Sequence, residues 1–137
     1  MIVRINALNE VMNEALRERA RRAAGGRSTE FISLVDGVEC GLLSYEDWSD
    51  QKVGFIYEIF ILPDFRRLGI GTTLLSYAED LAVQLGCTKT RLKACAFDGE
   101  TKQEVLVSWY TSKGYVQEAV GTEQMEKSLA HREPQRC

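Results

Sequence analysis

The segment Pro63-Asp64-Phe65-Arg66-Arg67-Leu68-Gly69-Ile70-Gly71-Thr72 joins an apolar run to a leucine-rich amphipathic stretch, and its residue types suit the binding of an anion. The amides that open a helix have no intrahelical acceptor and sit at the positive end of the helix dipole, so a diphosphate can settle on them. Glycines at 69 and 71 leave no Cβ between such a ligand and the backbone, and Arg66 and Arg67 add positive charge. Two other phosphate motifs fail here. A Walker sequence needs a lysine after its last glycine, where Thr72 stands, and a dinucleotide fingerprint needs a third glycine where Leu74 stands.

A second candidate is Glu58, an isolated carboxylate in the apolar run from Val53 to Leu62, on the opposite strand face from Tyr57, Ile59 and Ile61. Beside a substrate cleft it would accept a proton directly or through water; paired with a buried cation it would be structural, and both readings stay open. Imidazole chemistry is set aside, because the one histidine, His131, lies in the polar stretch Ala130 to Cys137. Cysteines at 40, 87, 95 and 137 form no C-x-x-C pair and have no neighbouring histidine, so they read as free thiols and no metal is expected.

These residues need elements to hold them. Leu8, Val11, Met12, Ala15, Leu16, Ala20 and Ala23 have helical spacing, ended by Gly25-Gly26. Extended segments Glu30 to Val35 and Val38 to Tyr45 meet at Asp36-Gly37, a strong hairpin signal, and Glu46 to Lys52 reads as a polar connection. The run Val53 to Leu62 reads as a central strand covered on both faces, ended by Pro63. The next helix carries Leu74, Leu75, Ala78, Leu81, Ala82 and Leu85 as one stripe and stops at Gly86. A strand near 91–96, a helix near 101–112 stopped by Gly114, and strands 115–120 and 124–129 complete the chain. The predicted order βαβββαβαββ is an α/β (α+β) arrangement, a mixed sheet flanked by helices, in one domain over 1–130 with a polar tail at 131–137.

Composition narrows the partners. With 137 residues, 17 Lys plus Arg against 20 Asp plus Glu and a net charge of −3, the chain has one domain's length and no broad positive field for nucleic acid. No leader-like or membrane-spanning apolar run is evident, so a cytoplasmic protein acting away from membranes is expected.

Arg66-x-x-Gly69-x-Gly71, following Pro63-Asp64 and preceding a leucine-rich helix, resembles the coenzyme A signature of the GNAT superfamily of N-acetyltransferases. Trp109-Tyr110-Thr111-Ser112-Lys113-Gly114-Tyr115 resembles the family's aromatic, Tyr, spacer, Gly, aromatic pattern, and Met125 to Leu129 resembles its closing strand. The resemblance implies a mixed, mostly antiparallel sheet of about six or seven strands flanked by three to four helices. It also implies acetyl-CoA as cosubstrate and a primary amine of a small molecule or peptide as acceptor.

By the same resemblance, the pantetheine arm would pair with the backbone of Ile59, Phe60 and Ile61. The pyrophosphate would rest beside Arg66 on the amides of Arg67, Leu68, Gly69, Ile70, Gly71 and Thr72. Tyr110 matches the tyrosine that protonates the departing thiolate, although a packed aromatic at a helix end is the other reading of that residue. Gln103 stands where relatives often carry asparagine, and Leu106 where they carry alanine, so a Gln103 contact with the cofactor is an expectation on the longer side chain. The acceptor rim would include Arg27, Ser28, Tyr45, Glu46, Asp47 and Trp48, while Arg17, Arg19, Arg21 and Arg22 read as a solvent face. Family analogy suggests a homodimer. Two other functions fit the motifs: a non-catalytic acetyl-CoA-binding module, and a toxin-like enzyme acetylating aminoacyl-tRNA, which the acidic composition disfavours.

Overall fold

Extended backbone must find hydrogen-bond partners, and here seven extended runs among the described residues find them in one another. The computed structural model describes residues 1–23, 26, 28–94, 103–118 and 123–129. In chain order the strands are β1 (Ile2–Arg4), β2 (Ser28–Val35), β3 (Val38–Trp48), β4 (Val53–Ile61), β5 (Lys89–Lys93), β6 (Val116–Gln117) and β7 (Gln124–Ser128). Helices α1 (Glu14–Ala23), α2 (Ile70–Gln84) and α3 (Gln103–Ser112) lie between them in the expected order. The sheet runs β1-β2-β3-β4-β5-β7-β6, antiparallel except for the parallel pair of β4 with β5. Among the described residues no helix is long and apolar enough to cross a membrane.

Turn chemistry sets several boundaries where the sequence puts them. Asp36 and Gly37 take φ of 51° and 78°, the double left-handed turn that joins β2 to β3. Both α2 and α3 end on a left-handed glycine. Cys87 N donates to the Ala82 carbonyl (2.9 Å) around Gly86, and Tyr115 N to the Tyr110 carbonyl (3.1 Å) around Gly114.

Other boundaries move for tertiary reasons. The first helix begins at Glu14 rather than Leu8: Leu8–Glu10 form a short 3-10 turn and Val11 is extended. Glu39 of β3 accepts the amides of Met12 (3.0 Å) and Asn13 (2.6 Å), and Asn13 Oδ1 accepts the Leu16 amide (3.0 Å), so the chain is held open and then capped. The expected connection Glu46 to Lys52 is partly strand, because Glu46, Asp47 and Trp48 pair with Phe55, Gly54 and Val53. At the far edge β5 starts earlier, at Lys89, and β6 is a two-residue strand; the expected strand and helix residues 95–96, 101–102 and 119–120, and the tail 131–137, lie outside the described residues.

Two cores sandwich the sheet. Val11, Leu16, Ala20, Ile32 and Leu42 close the α1 face. Leu43, Tyr45, Ile56, Leu74, Ala78, Ala82, Leu92, Tyr110 and Met125 fill the larger core under α2 and α3. Cys40 and Cys87 are buried free thiols within this second core. The Tyr45 hydroxyl is buried there against Cys87, a weak acceptor at best, and has no hydrogen-bond partner among the described residues.

That hydroxyl occupies the space a side chain at Gly54 would need. A Cβ there would lie 2.3 Å from Tyr45 Oη and 3.0 Å from Ala82 Cβ. Gly54→Ala should therefore destabilise the fold by about 1–3 kcal/mol through overpacking. Tyr45→Phe, which removes the unpartnered hydroxyl, should be neutral or stabilising and should relieve part of the Gly54→Ala loss. Urea midpoints of the two single variants and the double variant measure both effects.

Candidate active site

β4 and β5 pair only from Val53↔Lys89 to Ile56↔Leu92. β3, by contrast, follows β4 on its other edge as far as Gly41↔Ile61. Beyond Ile56 one edge of β4 is therefore released from β5, and a cleft of about 440 Å³ opens there. The pairing with β3 passes from Ser44↔Glu58 to Tyr45↔Ile56, which leaves Tyr57 as a one-residue bulge. The bulge resets the alternation of β4. Ile56 lies in the α2 core, and so do Ile59 and Ile61, whereas Phe60 packs on the α1 side.

At one end of the cleft is the turn that opens α2. Gly69 precedes the helix with φ of 78°, and Arg67 two residues earlier has φ of 67°, a conformation that a residue with a Cβ adopts at a cost of roughly 1 kcal/mol. The first intrahelical bond runs from Thr73 N to the Gly69 carbonyl (3.0 Å), so the amides of Gly69, Ile70, Gly71 and Thr72 have no intrahelical acceptor. Arg66, Arg67, Gly69, Ile70, Gly71 and Thr72 all line the cleft. Leu68 is exposed beside it. Arg66 Nε donates to the Ile61 carbonyl (3.0 Å), tying the turn to the end of β4. A Cβ on Gly71 would sit 3.4 Å from the Trp109 ring, so glycine lets α3 close over the helix start.

At the other end Glu58 and Tyr110 meet from different elements. Glu58 is buried and ion-paired with Arg19 of α1, which is also buried and whose guanidinium lies 3.6 Å from the Phe60 ring centroid. The arginines of α1 are thus not all a solvent face. Arg19 follows Leu16 by three and precedes Ala20, which puts it on the apolar stripe, and that spacing was the signal available in the sequence. Removing either partner would leave a buried charge alone, a loss of about 3–5 kcal/mol.

Tyr110 comes from the last turn of α3, stacked edge-on with Trp109 (4.9 Å) and Tyr115 (5.7 Å). Tyr115 is itself anchored: its hydroxyl donates to Glu79 of α2 (2.9 Å) and bonds Thr90 Oγ1 (2.7 Å), while Lys127 Nζ lies 3.2 Å from Glu79. Burial, then the nearby Glu58 charge, pushes the Tyr110 phenol well above its ordinary value.

Other expected residues fall elsewhere. The Gln103 side chain donates to the Ala94 carbonyl, fastening α3 to the end of β5, and does not line the cleft. Tyr45 is core, Glu46 accepts the Trp48 indole N–H (3.1 Å), and Asp47 accepts the Ser49 amide (2.9 Å); none of these four lines the cleft. Ser28 donates to the Ala23 carbonyl (2.8 Å), and Arg27 lies outside the described residues. Lys93 and Phe65 line the cleft and carried no distinguishing sequence signal.

The Acetyltransferase (GNAT) family model matches residues 6–103. The chain belongs to that family. Over 60 residues this GNAT chain is 32% identical to thialysine N-epsilon-acetyltransferase of Mus musculus, a stretch that covers 44% of the chain and 35% of the mouse enzyme. It thus spans about a third of that relative's length. Its fold is similar to that of the ribosomal-protein-S18-alanine N-acetyltransferase from Escherichia coli, with a TM-score of 0.70 at 15% identity over 95% of this chain and 94% of the other. The PaiA N-acetyltransferase from Thermoplasma acidophilum, solved in complex with coenzyme A, aligns with a TM-score of 0.62 at 18% identity over 88% and 82% of the two chains.

Tyr45 and Tyr115 share the upward shift of Tyr110, burial being the largest cause in each. Folded phenols that hold their protons more tightly than unfolded ones contribute stability that is complete below about pH 10 and is lost as the pH rises beyond it. Urea midpoints should therefore be insensitive to these groups up to about pH 10 and fall above it, with ultraviolet titration showing their ionisation only as the chain unfolds.

Proposed function

We propose that this GNAT chain transfers the acetyl group of acetyl-CoA to a primary amine of a small molecule or peptide. The observation that carries this reading is a single cleft with unpaired helix-opening amides and two arginines at one end and Glu58 with Tyr110 at the other. The residues fit the cofactor. Diphosphate oxygens suit the amides of Arg67 to Thr72 beside Arg66, and an amide-bearing arm suits the released edge of β4 at Ile59, Phe60 and Ile61. Ile70, Leu106 and Trp109 supply apolar walls along the way. Gln103, already bonded to Ala94, is not needed for this fit.

When bound, acetyl-CoA supplies an activated thioester, whose acetyl carbon bonds to the amine nitrogen as its bond to sulfur breaks and the thiol leaves. Glu58 takes the amine's proton, directly or through water, at its Oε atoms. The Tyr110 Oη–H delivers a proton toward the departing sulfur. These two roles are linked electrostatically: the negative charge of Glu58 contributes to holding the Tyr110 proton in place, so a proton arriving on Glu58 makes the phenol a better acid. Trp109, packed against Gly71, walls the cleft at the end where the diphosphate would lie.

Thiol release should be followed with acetyl-CoA across polyamines, amino acids, aminoglycosides and peptide N-termini. Acetyl-CoA binding by calorimetry without transfer to any of them would favour the non-catalytic module. Tyr110→Phe should lower kcat on the order of 100-fold while leaving acetyl-CoA affinity near that of the parent chain, and unchanged turnover would refute the acid role.

A further inference from the structure

Among the described residues, the charged side chains lining the cleft are Arg19, Arg66, Arg67 and Lys93 against one carboxylate, Glu58. Arg66 and Arg67 belong to the turn before α2, where a diphosphate would balance them. Arg19 arrives from the opposite face of the sheet, on α1, and Lys93 stands at the end of β5 with Glu123 3.6 Å away. The acidic residues Glu46 and Asp47, which would favour a purely cationic acceptor, do not line the cleft. Among the described residues, the half of the cleft away from α2 thus carries two cations, Arg19 and Lys93, beside Glu58.

Arg19 has donors to spare. A guanidinium carries five N–H groups in a planar fork, and among the described residues the only hydrogen-bond partner of Arg19 is Glu58, reached through Nη1. The side chain is 9% exposed and borders the cleft, and stacking on Phe60 fixes its plane. The Arg19 nitrogens are not fully sealed from the cleft, since Tyr45 Oη is the one completely buried side-chain polar atom left without a partner among the described residues. The remaining donors of Arg19 are therefore open to a ligand there, and a planar fork suits a carboxylate. Glu58 beside it accepts N–H groups.

We infer that the acceptor is an amino acid-like amine, bearing a carboxylate a few bonds from its amine, with the carboxylate on Arg19 and the amine on Glu58. This deepens the acetyl-transfer reading and rests on it. Arg19 is here a specificity residue, and the ion pair with Glu58 aligns the two halves of one zwitterion.

The experiment compares matched amines with and without the carboxylate, amino acids against their amides and their decarboxylated amines, in acetyl-CoA-dependent thiol release. The carboxylate-bearing member of each pair should have a kcat/KM about tenfold to a hundredfold higher, the range a charge-assisted contact supports. Arg19→Lys should keep part of that ratio and Arg19→Gln should bring it close to one. Because the ratio is taken within each variant, a smaller folded fraction does not change it. Equal or faster turnover of amines lacking the carboxylate by the parent chain overturns the inference while leaving acetyl transfer intact, and so does an undiminished ratio in Arg19→Gln. If Arg19→Gln does not fold, the parent-chain comparison decides. No thiol release from any amine, with calorimetry reporting whether acetyl-CoA binds, overturns the enzymatic reading and this inference together.

Discussion

β4 cannot satisfy both neighbours along its whole length. β3 accompanies it to Ile61, but β5 leaves it after Ile56, and Tyr57 is pushed out as a bulge where the two pairings fall out of step. From that one conflict come the released backbone edge, the opening of the cleft and the turn of Glu58 toward α1. Without the bulge, simple alternation would put Glu58 on the same face as Ile56, under α2, away from Arg19. With it, the carboxylate meets Arg19, and Ile59 and Ile61 turn their side chains to α2.

The remainder of the site is held by polar groups that burial makes demanding. Thr90, Tyr115, Glu79 and Lys127 link β5, the start of β6, α2 and β7, so that the end of α3 is anchored across three elements. Since an unmatched buried charge costs more than a matched one returns, such links restrict where Tyr110 can sit more than they add to overall stability. The Schellman turn at Gly114 completes that placement by tying the Tyr115 amide to the Tyr110 carbonyl.

A neighbour with this fold shares 15% identity with the chain over nearly its whole length, so the scaffold is specified by the pattern of apolar and turn residues rather than by particular side chains. The two ends of the cleft differ in this respect. The α2 end presents backbone amides, which any suitable turn supplies, and the α1 end presents individual side chains such as Arg19, Glu58 and Phe60. Differences among relatives in what they accept would be expected at the second end.

Local rules were enough for much of this protein. Asp36-Gly37, Pro63, the glycine pair at 69 and 71, Gly86 and Gly114 encode turns through their own backbone preferences, and the leucine stripe of α2 encodes its buried face, so element order and the glycine turn that opens α2 are legible from sequence alone. Tertiary structure decided what depends on partners distant in sequence. Glu39 holds Met12 and Asn13 out of the first helix, β4 draws Glu46 to Trp48 into a strand, and the meeting of α1 with β4 turns Arg19 from one arginine among several into the partner of Glu58. The physical reason is the same in each case. A residue's own preferences act within a few positions of it, whereas hydrogen bonds and ion pairs across the sheet exist only once the chain has folded to bring their two halves together.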